Sequence, residues 1–547
     1  MGLLDPEPLP YDPLEWEKLP LHERARLVCL AWAEQGYGTP LLIYAVYALK
    51  VALYAGGWLF FCTRDPALSA ANVADWALSP IAFQKAILWS MLFEGLGLGC
   101  GSGPLTGRYV PPIGGFLYFL RPGTTKLPLW PKLPVLGGDR RTLLDVALYA
   151  GLCFALVRAL LAPHLDAPAV IAVALLVPVL GVADKTVFLA LRAEHYWLTV
   201  LCFVFARDWI AGAKSVQLAL WFWAGVSKLN HHFPAVVCVM TSNGPLTRRG
   251  PLRRWVYRDY PNDLRPSKLA AGMGHAGTAL ELGVPIILLL SPGGTSLVVG
   301  LALMLALHLY ITSNVPMGVP IEWNVMVVYG AFALFWQHPQ TRAWDVASPP
   351  LALALVTGLI AVPLLGNLLP RAVSFLLAMR YYAGNWAYSV WLFRGESYRK
   401  LDRLTKSSPW VYDQLERLYD HPTAVGLGSK VMGFRMMHLH GRALGELLPK
   451  AVDRLQDYTY VDGEIVAGLV LGWNFGDGHL HDERLLAAVH SQCGFEPGEL
   501  RCIFVESQPL FGDTLAYRIA DAQSGELERG ELQVSDLCAR QPWEGAR

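Results

Sequence analysis

The chain has 547 residues, of which 54% are hydrophobic and 16% are charged, and its formal net charge is +1. Soluble proteins carry about 25% charged residues and disordered chains are poor in apolar residues, so the composition excludes both classes and indicates a membrane protein. The near-neutral charge also excludes a broad nucleic-acid-binding surface, which needs a strong basic excess.

The N-terminal segment, residues 1–38, is acidic and proline-rich, and it lacks the basic and apolar regions of a cleavable signal peptide. It is followed by a region, residues 39–384, that contains repeated apolar stretches. Because a spanning helix needs about 20 mostly apolar residues, we expect a mainly α, polytopic helical membrane bundle of about ten spans. The predicted spans lie near residues 40–62, 81–99, 142–163, 167–184, 187–207, 214–240, 273–291, 294–314, 324–337 and 347–366.

The basic residues of the loops predict the orientation. Arg and Lys concentrate in the loops that follow the second, sixth and tenth predicted spans, and basic loops favour the cytoplasmic side. All three follow even-numbered spans, so both termini are expected in the cytoplasm. The expected location is the cell (plasma or inner) membrane, as a multi-pass protein.

The last region, residues 385–547, is predicted to be a small cytoplasmic α/β or α+β domain, because charges become frequent there and no further long apolar stretch occurs. Strands are expected over 462–473, 499–506 and 514–520, a helix over 482–492 with Asp482 as a possible cap, and a turn at Ser524–Gly525. Such a domain can dock a cytoplasmic protein partner.

Lys228 is the polar residue of the predicted spans that most needs a structural or functional explanation. It is expected near the middle of the sixth span, followed by Asn230, His231 and His232. Desolvation disfavours the charged form of a lysine, and a neutral buried amine is a competent general base. The alternatives are a lysine that extends to the interface or one that pairs with a buried acid.

Further polar residues lie in the neighbouring spans. His195 is flanked by Arg192, Glu194 and Trp197, which is also the pattern of an interfacial aromatic belt with a satisfied histidine. A spacing of three aligns His275, Thr278 and Glu281 on one helix face. His308 lies at the end of the eighth span, and Asn314 follows it.

Two connecting segments and two histidine triplets complete the set of polar motifs. The apolar, proline-containing loop 316–324 is predicted either to line a pocket through Glu322 and Asn324 or to be an ordinary tight connection. The glycine-rich stretch 95–104 is expected to let helices approach closely. His-Leu-His triplets at 438–440 and 479–481 can supply imidazoles to a metal, but a turn signal and a helix cap explain the second, so no metal site is predicted.

Several strings resemble the vitamin K-dependent gamma-carboxylases. Ala224-Gly-Val-Ser-Lys-Leu229 is similar to the segment that holds their catalytic lysine, with Lys228 at that position. Similar strings occur in the same order at 184–186 with 195–197, at 274–283 and at 308–314. The resemblance covers residues 180–330 and identifies the chain as a member of the horizontally transferred transmembrane domain superfamily, where the full-length pattern looks like a bacterial multi-pass branch.

The resemblance implies a membrane enzyme whose buried lysine deprotonates a reduced quinone, which oxygen then converts into a base strong enough to activate glutamate for carbon dioxide addition. The paired lysines of that family are reduced here to Ser227-Lys228, and its large β-rich lumenal portion has no counterpart. We therefore expect base chemistry on a lipophilic molecule, with a vitamin K-like quinol or another isoprenoid-like lipid as cofactor or substrate, rather than gamma-carboxylation of a protein.

The predicted site follows from these observations. The expected catalytic residues are Lys228 as general base, with His195 and His308 orienting the substrate or relaying protons. The residues expected to contact the cofactor or substrate are Trp197, Asn230, His275, Glu281, Asn314, Glu322 and Asn324. Two alternatives remain: a lipid or small-molecule transporter or flippase, because buried charges and broken helices also mark transport pathways, and a non-catalytic membrane scaffold.

Overall fold

The computed structural model describes residues 2–99, 114–247, 250–315, 320–380, 383–475 and 483–545. The second half of the glycine-rich stretch, the start of the loop 316–324, the second histidine triplet and Asp482 therefore lie outside the described residues. The longer helices up to residue 370 are α1 (Leu21–Gln35), α2 (Leu41–Cys62), α3 (Pro80–Gly95), α4 (Leu143–Leu161), α5 (Ala167–Ala183), α6 (Lys185–Ala190), α7 (Leu198–Val204), α8 (Trp209–Ser227), α9 (Phe233–Asn243), α10 (Lys268–Leu290), α11 (Gly294–Thr312), α12 (Ile321–Ala331), α13 (Pro349–Val356) and α14 (Val362–Leu368).

Short elements connect these helices. A two-stranded antiparallel ribbon, β1 (Tyr257–Asp259) and β2 (Asp263–Pro266), precedes α10. Within the described ranges, three π-helical turns extend or interrupt the longer helices: Ala193–Trp197, Phe332–Trp336 and Thr357–Ala361. The remaining elements are single helical turns: Pro13–Trp16, Ala70–Asn72, Val73–Trp76, Phe116–Phe119 and Leu252–Trp255.

Five helices in the described part of the chain are long and apolar enough to cross a membrane: Leu41–Cys62, Leu143–Leu161, Lys268–Leu290, Gly294–Thr312 and Pro349–Leu368. They correspond to the stretches predicted near 40–62, 142–163, 273–291, 294–314 and 347–366. The other five predicted spans are not confirmed. Helices α3 and α5 have 16 and 17 residues, and at 1.5 Å per residue they are shorter than the roughly 30 Å hydrocarbon core of a bilayer.

Two of the unconfirmed spans are interrupted by changes of backbone conformation. The stretch 187–207 is broken at Arg192, which has a φ of +53° and is followed by the π-helical turn. The stretch 214–240 is two helices, because α8 ends at Ser227 and α9 begins at Phe233 with Pro234 in its first turn. Proline is tolerated there since its missing N–H needs no partner in the first turn.

The distribution of polar residues on α2 is the reverse of that on a soluble helix. Its buried residues include Tyr47, Lys50 and Tyr54, which share one face, whereas Leu49 and Leu53 are exposed. In water this arrangement would expose apolar side chains and bury polar ones. In a bilayer the leucines contact lipid and the polar groups face the other helices, so the exposed apolar surface of α2 agrees with a membrane-spanning helix.

The C-terminal region consists of an antiparallel sheet and helices, an α+β arrangement. The strands β3 (Tyr388–Arg394), β4 (Tyr458–Asp462), β5 (Leu500–Val505), β6 (Thr514–Asp521) and β7 (Gly525–Gln533) pair in the order β4-β3-β5-β6-β7. The helices are α15 (Val411–Leu415), α16 (His421–Met437), α17 (Leu444–Ala451), α18 (Gly463–Leu471), α19 (Arg484–Cys493) and α20 (Val534–Ala539), with 3-10 turns at Ser397–Arg403, His440–Ala443 and Leu455–Asp457.

The secondary structure predicted for this region is largely confirmed. The strands over 499–506 and 514–520, the helix over 482–492 and the turn at Ser524–Gly525 correspond to β5, β6, α19 and the β6–β7 turn. The strand over 462–473 is wrong. Asp462 ends β4, and its side chain accepts the N–H of Glu464 as an N-cap, so the apolar run that follows forms α18.

The N-terminal segment packs against the C-terminal region. The hydroxyl groups of Tyr11 and Ser429 are 2.8 Å apart, and the Lys430 Nζ donates to the Gln35 side-chain oxygen at 2.9 Å. The Trp16 indole contributes to the same apolar core as Met432. The N-terminal segment and the C-terminal region therefore share one apolar core. The predicted domain boundaries near residues 38 and 384 stay predictions.

Candidate functional site

Lys228 forms a buried ion pair with Glu281. Its ammonium group contacts Oε2 of Glu281, and the two side chains are 4% and 5% exposed. Lys228 caps the C-terminal end of α8 and lies in the break before α9, so its predicted position in the middle of a continuous span is wrong. The alternative of pairing with a buried acid is the one that the structure shows.

Close approach of α8 and α10 brings the two residues together. A Cβ atom added at Gly225 would lie about 3.0 Å from the Leu282 side chain and 3.1 Å from the backbone carbon of Glu281. That separation is tighter than ordinary van der Waals contact, so the glycine permits the helices to pack at this distance. The Lys228 ammonium also lies 4.8 Å from the ring centroid of Phe233, the first residue of α9.

His308 is held by two hydrogen bonds that fix its tautomer. The Trp221 indole donates to Nε2 at 2.9 Å, and Nδ1 lies 2.8 Å from Oδ1 of Asn324. An indole N–H can only donate, so Nε2 is the acceptor and Nδ1 carries the proton that it donates to Asn324. The Asn324 amide nitrogen in turn donates to the carbonyl of Pro320 at 3.1 Å. The imidazole is therefore neutral and rigidly oriented.

The first turn of α12 contacts buried charges from three other segments. Glu322 Oε2 is 2.8 Å from Nζ of Lys50 on α2, and the Trp323 indole donates to the carboxylate of Glu94 on α3. The guanidinium of Arg192 stacks on the Trp323 ring at 3.3 Å from its centroid.

Glu194 completes this group, because its Oε1 is 2.6 Å from Nε of Arg192. The group thus contains the three carboxylates of Glu94, Glu194 and Glu322 and the two cations of Lys50 and Arg192, and all five side chains are buried. Buried charges are expensive unless they are paired. Five buried charged residues around one helical turn therefore indicate a functional site.

A family model described as a transmembrane protein of unknown function (DUF3556) matches residues 1–547. The chain belongs to the DUF3556 family. No curated protein and no solved structure is detectably similar to this DUF3556 protein, and no link to the gamma-carboxylases is shown.

Five predicted site residues of the DUF3556 protein belong to the buried pair, the hydrogen bonds of His308 and the charged group around Trp323. They are Lys228, Glu281, His308, Glu322 and Asn324. Their neighbours Lys50 and Trp221 were not predicted as site residues. A signal existed for Lys50, because it is the one charged residue of the apolar stretch 40–62. No sequence signal distinguishes Trp221 from the other aromatic residues of α8.

The remaining predicted residues have other surroundings. His195 is buried in the π-helical turn, where its ring lies 4.7 Å from that of Tyr196. The indole of Trp197 donates to a backbone carbonyl of α5, and the side-chain amide of Asn314 donates to one on α11. His275 is exposed, so the predicted face of three residues is buried only at Thr278 and Glu281.

Asn230 forms hydrogen bonds with the backbone of the loop at residues 509–511 and not with a charged group. Its amide nitrogen lies 3.2 Å from the carbonyl oxygen of Pro509, and its side-chain oxygen accepts the N–H of Phe511 at 2.8 Å. The first histidine triplet is also structural in its contacts, since Nδ1 of His438 lies 2.9 Å from the carbonyl oxygen of Phe434. In the part of the chain that is described, no three His, Cys, Asp or Glu side chains are grouped to hold a metal ion.

Proposed function

We propose that this membrane protein is an enzyme that performs acid–base chemistry on a lipophilic molecule, with Lys228 and Glu281 as the proton-transferring pair. The contact between the two side chains carries the proposal. An amine and a carboxylate in contact, both closed off from water, can exchange a proton directly, and burial strengthens the electrostatic effect of each group on a reacting neighbour. The gamma-carboxylase resemblance around Lys228 supports the same role.

The pair also defines how a substrate reaches the amine. The Lys228 ammonium is satisfied by Glu281, so a substrate hydroxyl must replace that carboxylate as its hydrogen-bond partner. With the proton on Glu281, the free amine of Lys228 is the base. Once the amine has accepted a proton from the substrate, the resulting ammonium stabilises the anion that remains.

The side chains around the pair fit an aromatic, weakly acidic molecule. Phe233 covers the Lys228 ammonium, and the neutral His308 on α11 is oriented by Trp221 of the same helix as Lys228. A reduced quinone of the vitamin K type would supply a phenolic hydroxyl group. Lys228 and Glu281 would hold that hydroxyl, and Phe233 would contact the ring.

The test compares turnover in membranes that contain the wild type, Lys228→Ala, Lys228→Arg or Glu281→Gln. We expect untargeted mass spectrometry of extracted lipids and quinones to show a product that accumulates only with the wild type. Arginine should not rescue activity, because it does not deprotonate. A matched control is Lys214→Ala, since Lys214 is a buried lysine of the same helix that donates to the backbone carbonyls of His338 and Thr341.

Three outcomes decide the proposal. Product formation by a folded Lys228→Ala protein at the wild-type rate would refute it, and so would an equal loss of product in Lys214→Ala and Lys228→Ala. Loss with Lys228→Ala and Lys228→Arg, and retention with Lys214→Ala, would support it. Lipids that co-purify with each variant identify the molecule that reaches the pair.

Proton-coupled transport of a lipid or small molecule is a second candidate function, and the group around Trp323 favours it. Among the described residues this group contains three buried carboxylates and two cations, and an exchangeable proton on one carboxylate would balance their charges. In proteoliposomes with a proton gradient, a transporter would move an unchanged substrate across the bilayer, and Glu94→Gln with Glu322→Gln would abolish the coupling. A chemically altered product would favour the enzyme instead.

A further inference from the structure

The loop between β5 and β6, residues 506–513, presents an aromatic side chain to the outside of the molecule. Phe511 is 71% exposed and has a φ of +58°. A bulky residue rarely adopts this left-handed conformation, and it persists only where the surrounding structure fixes it. A hydrogen bond fixes this conformation, because the N–H of Phe511 donates to the side-chain oxygen of Asn230 at 2.8 Å.

The loop is tied to the end of the last candidate membrane span. The N–H of Leu510 donates to the carbonyl oxygen of Asn367 at 2.8 Å, and Asn367 is the penultimate residue of the span Pro349–Leu368. Asn230 follows closely on the end of α8. The loop is therefore held at the level where two helices of the bundle end, and its position is set by backbone hydrogen bonds rather than by side-chain packing alone.

The exposed surface at the end of the span is apolar. The exposed residues of its last two turns are Leu364, Leu365 and Leu368, and the exposed Leu369 follows directly, before the exposed Arg371 and Ala372. In a membrane-spanning helix this face contacts lipid. The bonded neighbours Asn367 and Leu510 then place Phe511 directly beside a lipid-facing surface.

We propose that the β5–β6 loop is a membrane anchor, in which Phe511 inserts into the interfacial layer of the bilayer beside the end of the last span. The sheet is then held against the membrane surface. The continuity with the lipid-facing leucines favours lipid over a protein partner as the occupant, because a protein bound at Phe511 would also have to cover the end of the span. This proposal does not depend on the enzymatic or transport function.

The experiment measures the depth of a label in the bilayer. Phe511→Cys in the full chain is spin-labelled, and the protein is reconstituted into vesicles of phosphatidylcholine and phosphatidylglycerol. The accessibility of the label to oxygen, which dissolves in lipid, is compared with its accessibility to a water-soluble nickel complex. The native cysteines in the described residues are buried or half-buried. The wild type, treated with the same spin label, therefore measures the background signal from these cysteines.

The matched control is Leu527→Cys, because Leu527 is 48% exposed near the opposite end of the same sheet. It lies about 20 Å from the loop along β6 and β7, at about 3.3 Å per residue. We expect the label at 511 to be severalfold more accessible to oxygen than to nickel in vesicles, and the label at 527 to show the reverse. Equal accessibility at the two positions would overturn the proposal. Protection at 511 that appears only after a soluble protein fraction is added would also overturn it, in favour of a protein partner.

Discussion

The ion pair between Lys228 and Glu281 makes a quantitative prediction about stability. Removing one partner of a buried pair leaves an uncompensated charge and costs about 3–5 kcal/mol, whereas replacing both by apolar residues of similar size is often close to neutral. Exposures of 4% and 5% mean that water cannot solvate the group that is left behind. We therefore expect Lys228→Met and Glu281→Leu each to lower the free energy of unfolding by about 3–5 kcal/mol.

The double variant separates this effect from simple damage to packing. Lys228→Met with Glu281→Leu should lose less than about 2 kcal/mol, so the coupling energy of the two sites should be at least about 4 kcal/mol. Unfolding is followed by intrinsic fluorescence during a titration with a denaturing detergent, for which the 19 tryptophans provide the signal.

The control replaces Lys214, which lies four helical turns before Lys228 and bonds to backbone carbonyls. Lys214→Met combined with Glu281→Leu should be additive, because sites without shared partners add within about 0.5 kcal/mol. If the pair of substitutions at 228 and 281 is also additive, the two residues do not interact in the membrane, and the proposed proton transfer between them loses its structural basis.

Three further predictions use the same unfolding measurement. Trp221→Phe removes the donor to Nε2 of His308 and should lower the free energy of unfolding by about 1–3 kcal/mol, the usual effect of leaving a buried acceptor unpaired; an unchanged value would contradict the assigned hydrogen bond. Gly225→Ala should cost about 1–3 kcal/mol by forcing α8 and α10 apart, and wild-type stability would show that the contact is loose. Burial lowers the pKa of His438 from 6.5 to about 4 and that of His440 to about 3, so the unfolded state binds more protons below pH 6.5. Stability should therefore fall as the pH drops from about 6.5 toward 4, by about 1.4 kcal/mol per pH unit for each histidine, and His440→Gln should lower the slope by that amount.

The sequence indicates which polar residues of the site are buried better than it indicates how they pair. Lys228, Glu281 and His308 are conspicuous because charged or titratable residues in apolar stretches are expensive and need a structural or functional reason. The pairing of Lys228 with Glu281 depends on Gly225 and on the close approach of α8 and α10, and the two residues are 53 positions apart in the chain. No local pattern encodes such a contact, so the sequence left pairing with a buried acid as one alternative for Lys228 and did not identify Glu281 as that acid.

Five of the ten predicted spans are not confirmed, and in two of them the backbone departs from a regular helix. Hydropathy averages over a window and does not register the left-handed Arg192 or the interruption between Ser227 and Phe233. A similar ambiguity explains the wrong strand over 462–473, because a short apolar run suits a buried strand or a buried helix equally well. The cap at Asp462 decides for the helix. Alternating or β-branched runs bounded by turns, such as β5 and β6, were predicted correctly.

The contact between the two ends of the chain has a consequence for biosynthesis. Tyr11 and Ser429 are separated by 418 positions, and at roughly 5–20 residues per second a ribosome delivers the second about 20–80 s after the first. Throughout that interval the segment 2–35 has emerged without the helix against which it packs. The nascent segment must therefore be kept soluble, by its own acidic residues or by a chaperone, until Ser429 and its helix have been synthesised.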